Sequence, residues 1–237
     1  MQLFICPPFG NYIDLPFATS IKGSYTLHER NGLLYQILKT LRYSFVYNGW
    51  INKIGLRNKG IDHILTNYND KSIYSLAILD PSDISKMVEK IPPSVNIEIN
   101  ISCPNAEKSM VYQGLKPFQN SQRKWCIIKL SPLVSMDTIN NLYQQGFRQF
   151  HISNTLPTSR GGLSGPSLKE YNLKTIKSVR EKYPDVEIIG GGGVQSIYDA
   201  NLYKTAGANH VGISTLLFHP LKTISFYNDW KKYSKYI

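Results

Sequence analysis

The sequence predicts an α/β fold, a single (β/α)₈ barrel of parallel strands, and three observations point there. Short runs of β-forming residues alternate with amphipathic stretches, the pattern of a parallel sheet with helical crossovers. Eight such runs occur, the number that closes a barrel instead of leaving an open sheet. The length, 237 residues, is near the roughly 250 that such a barrel uses. The expectation is one domain over residues 1–237.

The strand-like runs fall at 2–6, 17–24, 72–79, 95–102, 125–131, 148–153, 186–190 and 209–214. Helical periodicity follows several of them, at 60–67, 81–91, 135–145, 168–182, 196–206 and 221–233. Pro81 and Pro220 stand near helix starts, where a missing N–H costs little. Gly146 and Gly207 stand just past helix ends, where a left-handed residue closes the last turn.

Composition narrows the function classes. There are 27 Lys and Arg against 16 Asp and Glu, a formal charge of +11. The positive residues are scattered, with no run of five like charges. That disfavours nucleic acid and suits a phosphate-bearing cofactor and an anionic substrate. No apolar run approaches the roughly 20 residues that span a bilayer. Residues 1–8 have neither the basic region nor the apolar segment of a secretory signal. The expected compartment is therefore the cytoplasm. Cys6, Cys103 and Cys126 form no C-x-x-C pair, so neither zinc nor a disulfide framework is expected. Cys6 and Cys126 lie in apolar runs and read as small buried side chains. The five histidines share no spacing and read as core or surface residues, so no metal site is expected.

A barrel carries its active site where strands end and the following loops begin. In this chain the polar clusters sit there. The loops after strands seven and eight usually hold a phosphate, and Gly190–Gly193 and Ser214-Thr215 occupy those places. Glycines let backbone N–H groups approach phosphate oxygens. The glycine-rich 159–165 loop is expected beside them. Lys129 ends an apolar strand, so it must point into the barrel mouth, where a buried ammonium needs an anionic partner. Asn52, Asn100, Asn105 and Asn154 stand at strand ends or in adjacent loops. Their carboxamides suit a planar heterocycle rich in N–H and C=O groups. Cys103 directly follows strand four and is a thiol that modest tuning makes a base near neutral pH.

These segments together resemble the dihydroorotate dehydrogenases. Residues 96–105, ending Asn100-Ile101-Ser102-Cys103-Pro104-Asn105, are similar to that family's strand-four signature. Ile128-Lys129-Leu130-Ser131-Pro132 resembles its flavin-lysine strand. Ser153-Asn154-Thr155 with 161–165, then 188–194 and 207–215, resemble its strand-six and phosphate segments. Residues 52–58 resemble the segment lining its orotate site.

The resemblance implies flavin mononucleotide (FMN) in the barrel mouth and oxidation of dihydroorotate to orotate in pyrimidine biosynthesis. Cys103 would be the base that removes the C5 proton while hydride passes from C6 to the flavin. Lys22, Asn52, Gly55, Leu56, Asn100, Asn105, Asn154 and Thr155 would hold the substrate. Lys129, Ser153, Gly165, Gly192, Gly193, Ser214 and Thr215 would hold FMN. A cysteine base is the pattern of the family's soluble class, whose members are commonly homodimers. The chain departs from the family in a short start, with Pro7-Pro8-Phe9-Gly10 in the region of the first flavin loop. Its lid after Cys103 is also short, and Lys22 is a shifted candidate for the family's substrate lysine. Ser214 and Arg57 stand where other residues are usual. Two other readings stay open at this point. One is a flavin-binding barrel that is non-catalytic or partner-dependent. The other is a dihydrouridine synthase-like reductase acting on RNA. The electron acceptor is open too.

Overall fold

The computed structural model describes residues 1–101 and 114–233. Its first half runs β1 (Leu3–Ile5), β2 (Ala18–Tyr25), α1 (Leu33–Thr40), β3 (Arg42–Ser44), β4 (Gly49–Asn52), α2 (Asp62–Thr66), β5 (Ile73–Ala77), α3 (Asp83–Lys90) and β6 (Ile97–Asn100). The second half runs β7 (Cys126–Leu130), α4 (Met136–Gln144), β8 (Gln149–Ile152), β9 (Leu156–Thr158), β10 (Gly161–Ser164), α5 (Lys169–Lys182), β11 (Glu187–Gly191), α6 (Ile197–Thr205), β12 (His210–Ile213) and α7 (Pro220–Tyr233).

Eight strands close into a parallel barrel in the order β1-β2-β5-β6-β7-β8-β11-β12, with β12 paired back to β1. These are the eight runs read from the sequence, and their order round the barrel is chain order. Alternation along each strand sends side chains to two cores. Phe4, Cys6, Ile21, Ile73, Trp125, Ile127 and Ile189 form the cluster inside the barrel. Ile97, Ile99, Ile128, Leu130, Phe150 and Ile152 belong to the larger cluster that joins the strands to Met87, Leu142, Ile176 and Val179 of the helices. The helix punctuation follows expectation. Gly146 and Gly207 take φ of +99° and +109°. Pro220 opens α7, and Ser196 with Asp199 makes a capping box on α6.

One part of the fold lies outside the sequence-based expectation. β3 and β4 form a hairpin in the β2–β5 connection, and β9 and β10 form another in the β8–β11 connection. The two join through β4 and β10 into a four-stranded antiparallel sheet, β3-β4-β10-β9. The 159–165 segment, expected as a loop beside the phosphate, is thus largely hairpin. Gly162 stands opposite Asn52 in the β4–β10 pair. A Cβ there would lie 2.6 Å from Thr155 Oγ1, so this glycine serves close packing. Ile51, Leu163 and Leu168 bury a small apolar cluster under the sheet. Helix α1 was also missed. It has no side-chain cap, Gly32 at its start is left-handed, and none of its residues is buried.

Candidate active site

Strand register builds one end of the site. Asn100 on β6 is level with Lys129 on β7, which is level with His151 on β8. One pleat below Asn100, Glu98 points the same way. Glu98 and His151 are fully buried and Lys129 is 7% exposed. The Glu98 carboxylate takes three partners. Ser75 Oγ donates to its Oε1 at 2.7 Å, His151 Nδ1 lies 2.5 Å from its Oε2, and Lys129 Nζ lies 3.5 Å from its Oε1. Sequence reasoning placed Lys129 correctly in the interior but missed this intramolecular counter-ion. The signal was a lone carboxylate at an inward position of an apolar strand.

The electrostatics of this group are self-consistent. Burial opposes charge on Glu98, yet Lys129, His151 and Ser75 hold its carboxyl down to about 2. Burial pushes the His151 imidazole below its ordinary value, over the opposing pull of Glu98. The imidazole is therefore neutral, with Nδ1–H donating to Glu98. That tautomer leaves Nε2 to accept from Cys6 Sγ at 3.8 Å. Burial pushes the Cys6 thiol up to about 12, so it stays an S–H donor. Gly212 makes room here, since a Cβ would lie 2.8 Å from Cys6 Sγ and 3.3 Å from His151 Nε2.

Above this layer the amides converge. Asn154 Nδ2 donates to Asn100 Oδ1 at 3.2 Å, and Asn100 Nδ2 donates to Ser24 Oγ at 3.1 Å. Ser24 Oγ lies 2.9 Å from Ser75 Oγ, which links the amides to Glu98. Thr155 follows directly, and its N–H donates to Asn154 Oδ1 at 2.8 Å. Thr155 abuts Gly162, whose strand partner is Asn52. So Asn52, Asn100, Asn154 and Thr155 are linked through successive neighbours. Gly55 and Leu56 follow β4 with φ of +68° and +54°. Asn58 pins their loop to the end of β2, accepting from Thr26 N at 3.0 Å and donating to Leu56 O at 2.7 Å. Lys22 stands apart. It is level with Tyr74, on the face of β2 opposite to Gly23 and Ser75, and its Nζ pairs with Asp14 at 3.3 Å. Cys103 and Asn105 lie outside the described residues.

The other end of the site is made of backbone. Gly192 and Gly193 follow β11 with φ of +89° and +76°. A Cβ on Gly193 would lie 2.7 Å from both Gly165 O and Pro166 Cα. The Tyr203 hydroxyl is 2.6 Å from Gly191 O and 2.7 Å from Gly192 O, and Asn172 Nδ2 donates to Gly191 O at 2.7 Å. These two side chains, absent from the sequence-based site, hold the turn's carbonyls. Ser153 Oγ would lie 3.1 Å from a Cβ on Gly191, so that glycine keeps Ser153 in place. Ser214 Oγ donates to Pro7 O at 3.0 Å and ties β12 to the loop after β1. A cavity of about 300 Å³ opens here, lined by Gly165, Pro166, Gln195, Thr215 and His219, with Lys222 and Lys169, the latter paired with Asp199 at 2.6 Å, at its edge.

This donor set fits flavin mononucleotide. Glycine amides, the Thr215 hydroxyl and a basic cavity suit the phosphate. The Lys129 ammonium and the Asn100–Asn154 pair suit the polar edge of the ring and a flat ligand against it. Among the described residues no cluster of three His, Cys, Asp or Glu is arranged to hold a metal ion. Among them, too, no helix is long and apolar enough to cross a membrane.

Known proteins resemble this chain in family and in fold. Residues 106–225 match the family model described as dihydroorotate dehydrogenase. The chain is 28% identical over 241 residues to the protein of Porphyromonas gingivalis named dihydroorotate dehydrogenase B (NAD(+)), catalytic subunit, covering 87% of this chain and 76% of that one. It is 29% identical to the protein of the same name from Alkaliphilus metalliredigens, covering 91% and 82%. A solved structure of a dihydroorotate dehydrogenase from Eimeria tenella, in complex with ferulenol, superposes with a TM-score of 0.71 at 17% identity. It covers 96% of this chain and 80% of that one, a likeness of fold.

Proposed function

The chain belongs to the dihydroorotate dehydrogenase family of FMN-dependent oxidoreductases of pyrimidine biosynthesis, and from that premise we propose that it oxidises dihydroorotate to orotate in the mouth of its barrel. The observation that carries this reading is the convergence at the strand ends of a glycine-turn phosphate site, a buried lysine and a linked set of amides. FMN supplies the acceptor for the hydride leaving C6 of the substrate. Asn100, Asn154 and Thr155, with Asn52, orient the flat ring by donating to its carbonyls and accepting from its N–H groups. Gly55 and Leu56 shape the loop over it. Lys22, held by Asp14, is left out of the substrate contacts. Asn105 joins the substrate set on the strength of the resemblance. Lys129 and Ser153 would hold the polar edge of the flavin. Gly165, Gly192, Gly193, Ser214 and Thr215 form the phosphate end. Cys103 is assigned the base that takes the C5 proton.

The whole of residues 1–237 acts as one flavin-binding domain, placed in the cytoplasm. The relatives are named as NAD(+)-linked catalytic subunits. We assign this chain the same role, with a partner chain passing electrons on to NAD(+).

The test is an anaerobic visible spectrum of the purified protein before and after adding dihydroorotate. Flavin bands that bleach support the reading. Bands that persist would overturn the substrate assignment. Cys103→Ala is expected to abolish bleaching near pH 7 with FMN still bound, and unchanged bleaching removes Cys103 from the base role.

A further inference from the structure

The interior of a barrel of this kind is mostly apolar, so the Glu98–His151–Lys129 group needs a reason. Burying three ionisable side chains together is costly unless each charge is matched. Here one carboxylate and one ammonium cancel, and the neutral imidazole adds a hydrogen bond without adding charge. Among the described residues, the Cys6 thiol also contacts this layer through His151 and stays neutral. Nearby positions on β5, β11 and β12 carry Ser75, Gly191 and Gly212. The layer is thus neutral, and Lys129 reaches the mouth already partnered.

We propose that Glu98 is a positioning and tuning residue for the flavin: it holds the Lys129 ammonium from beneath and offsets its charge, while His151 fixes the carboxylate in that role. A reduced flavin carries negative charge near N1, and an ammonium beside it favours that form. A carboxylate 3.5 Å from the same ammonium opposes it. The site's preference for reduced over oxidised FMN is then set by the pair, not by Lys129 alone. The inference rests on the placement of Lys129 at the flavin ring.

The test is the midpoint potential of FMN bound to the full-length protein at pH 7, read spectroscopically against redox dyes. Lys129→Met is expected to lower the potential. Glu98→Gln, which keeps the shape and removes the charge, is expected to raise it. The rise corresponds to at least a tenfold gain in the ratio of reduced to oxidised FMN affinity, about 30 mV for a two-electron couple. In the Lys129→Met background the Glu98→Gln shift should shrink severalfold, because Glu98 acts through Lys129. An unchanged or lowered potential in Glu98→Gln, with Lys129→Met still effective, overturns the inference alone. No effect of Lys129→Met means the flavin placement itself is wrong. The wild-type protein supplies a check that needs no variant to fold, using carbon-13 NMR of glutamate carboxyls. One buried glutamate should stay ionised down to pH 4 and shift when the flavin is reduced. If no such signal exists, the inference fails.

Discussion

The two ends of the candidate site are built from different materials. At the phosphate end, the work falls to backbone, at Gly192 and Gly193, with Tyr203 and Asn172 holding carbonyls behind it. At the ring end, it falls to side chains from neighbouring strands, Asn100, Lys129 and His151, standing level over Glu98. The first end depends on the absence of side chains and the second on their charge. A substitution should therefore fail in a different way at each end.

The largest effect is expected at the ring end. Lys129→Met strands a fully buried carboxylate, and breaking a buried pair costs about 3–5 kcal/mol. Denaturant unfolding of the apoprotein should register that loss, and a cost under about 1 kcal/mol would show that Glu98 and Lys129 are not an effective pair. Next comes Gly193→Ala, whose Cβ would press on backbone atoms at 2.7 Å with φ at +76°. About 2 kcal/mol of destabilisation is expected, together with loss of retained FMN on gel filtration. If FMN is retained at the wild-type level, the turn is not the phosphate site.

Acidity separates the ends further, because the ring end holds buried groups, Glu98 and His151, whose titration is shifted within the acid range. His151 is depressed below 6.5 in the folded state. Below pH 6.5 the unfolded chain therefore binds a proton that the folded chain refuses. Stability from this group is complete above that pH and falls below it, by up to about 1.4 kcal/mol per pH unit. Glu98 is depressed from 4.5 to about 2, so its contribution is present above pH 4.5 and is lost toward pH 2. Thermal melts of His151→Gln should be flatter than wild type between pH 6.5 and 5. Equal slopes would mean His151 is charged in the fold. The smallest effect is expected from Tyr203→Phe, about 1 kcal/mol with FMN held a few-fold more weakly.

The same contrast explains what could be read from the sequence. The barrel was legible because each strand announces itself locally, by a β-forming run between turns. The glycine turn after β11 was legible because a run of glycines is contiguous. The Glu98–His151 contact was not, because the two residues are 53 positions apart and meet only through strand register. A histidine of no evident spacing reads as generic core until that register is known. The four-stranded sheet was hidden for a related reason. Gly161 and Gly162 look like loop residues, and only the approach of Thr155 and Asn52 shows why a strand needs glycine there. Lys22 lies on the face of β2 opposite to Gly23, because in a strand one residue exchanges the two faces.

That sheet has a kinetic consequence. Its central pairing joins Trp50–Asn52 to Gly162–Ser164, segments held on two connections that leave the barrel far apart along the chain. Contacts of such long sequence separation give little return until the intervening chain has been ordered. The hairpins β3–β4 and β9–β10 can each form early and locally, but their union waits on closure of β5 through β8. The loop at Gly55 and Leu56, which follows β4, hangs from that union. The chain therefore completes this sheet last, after the barrel that supports it.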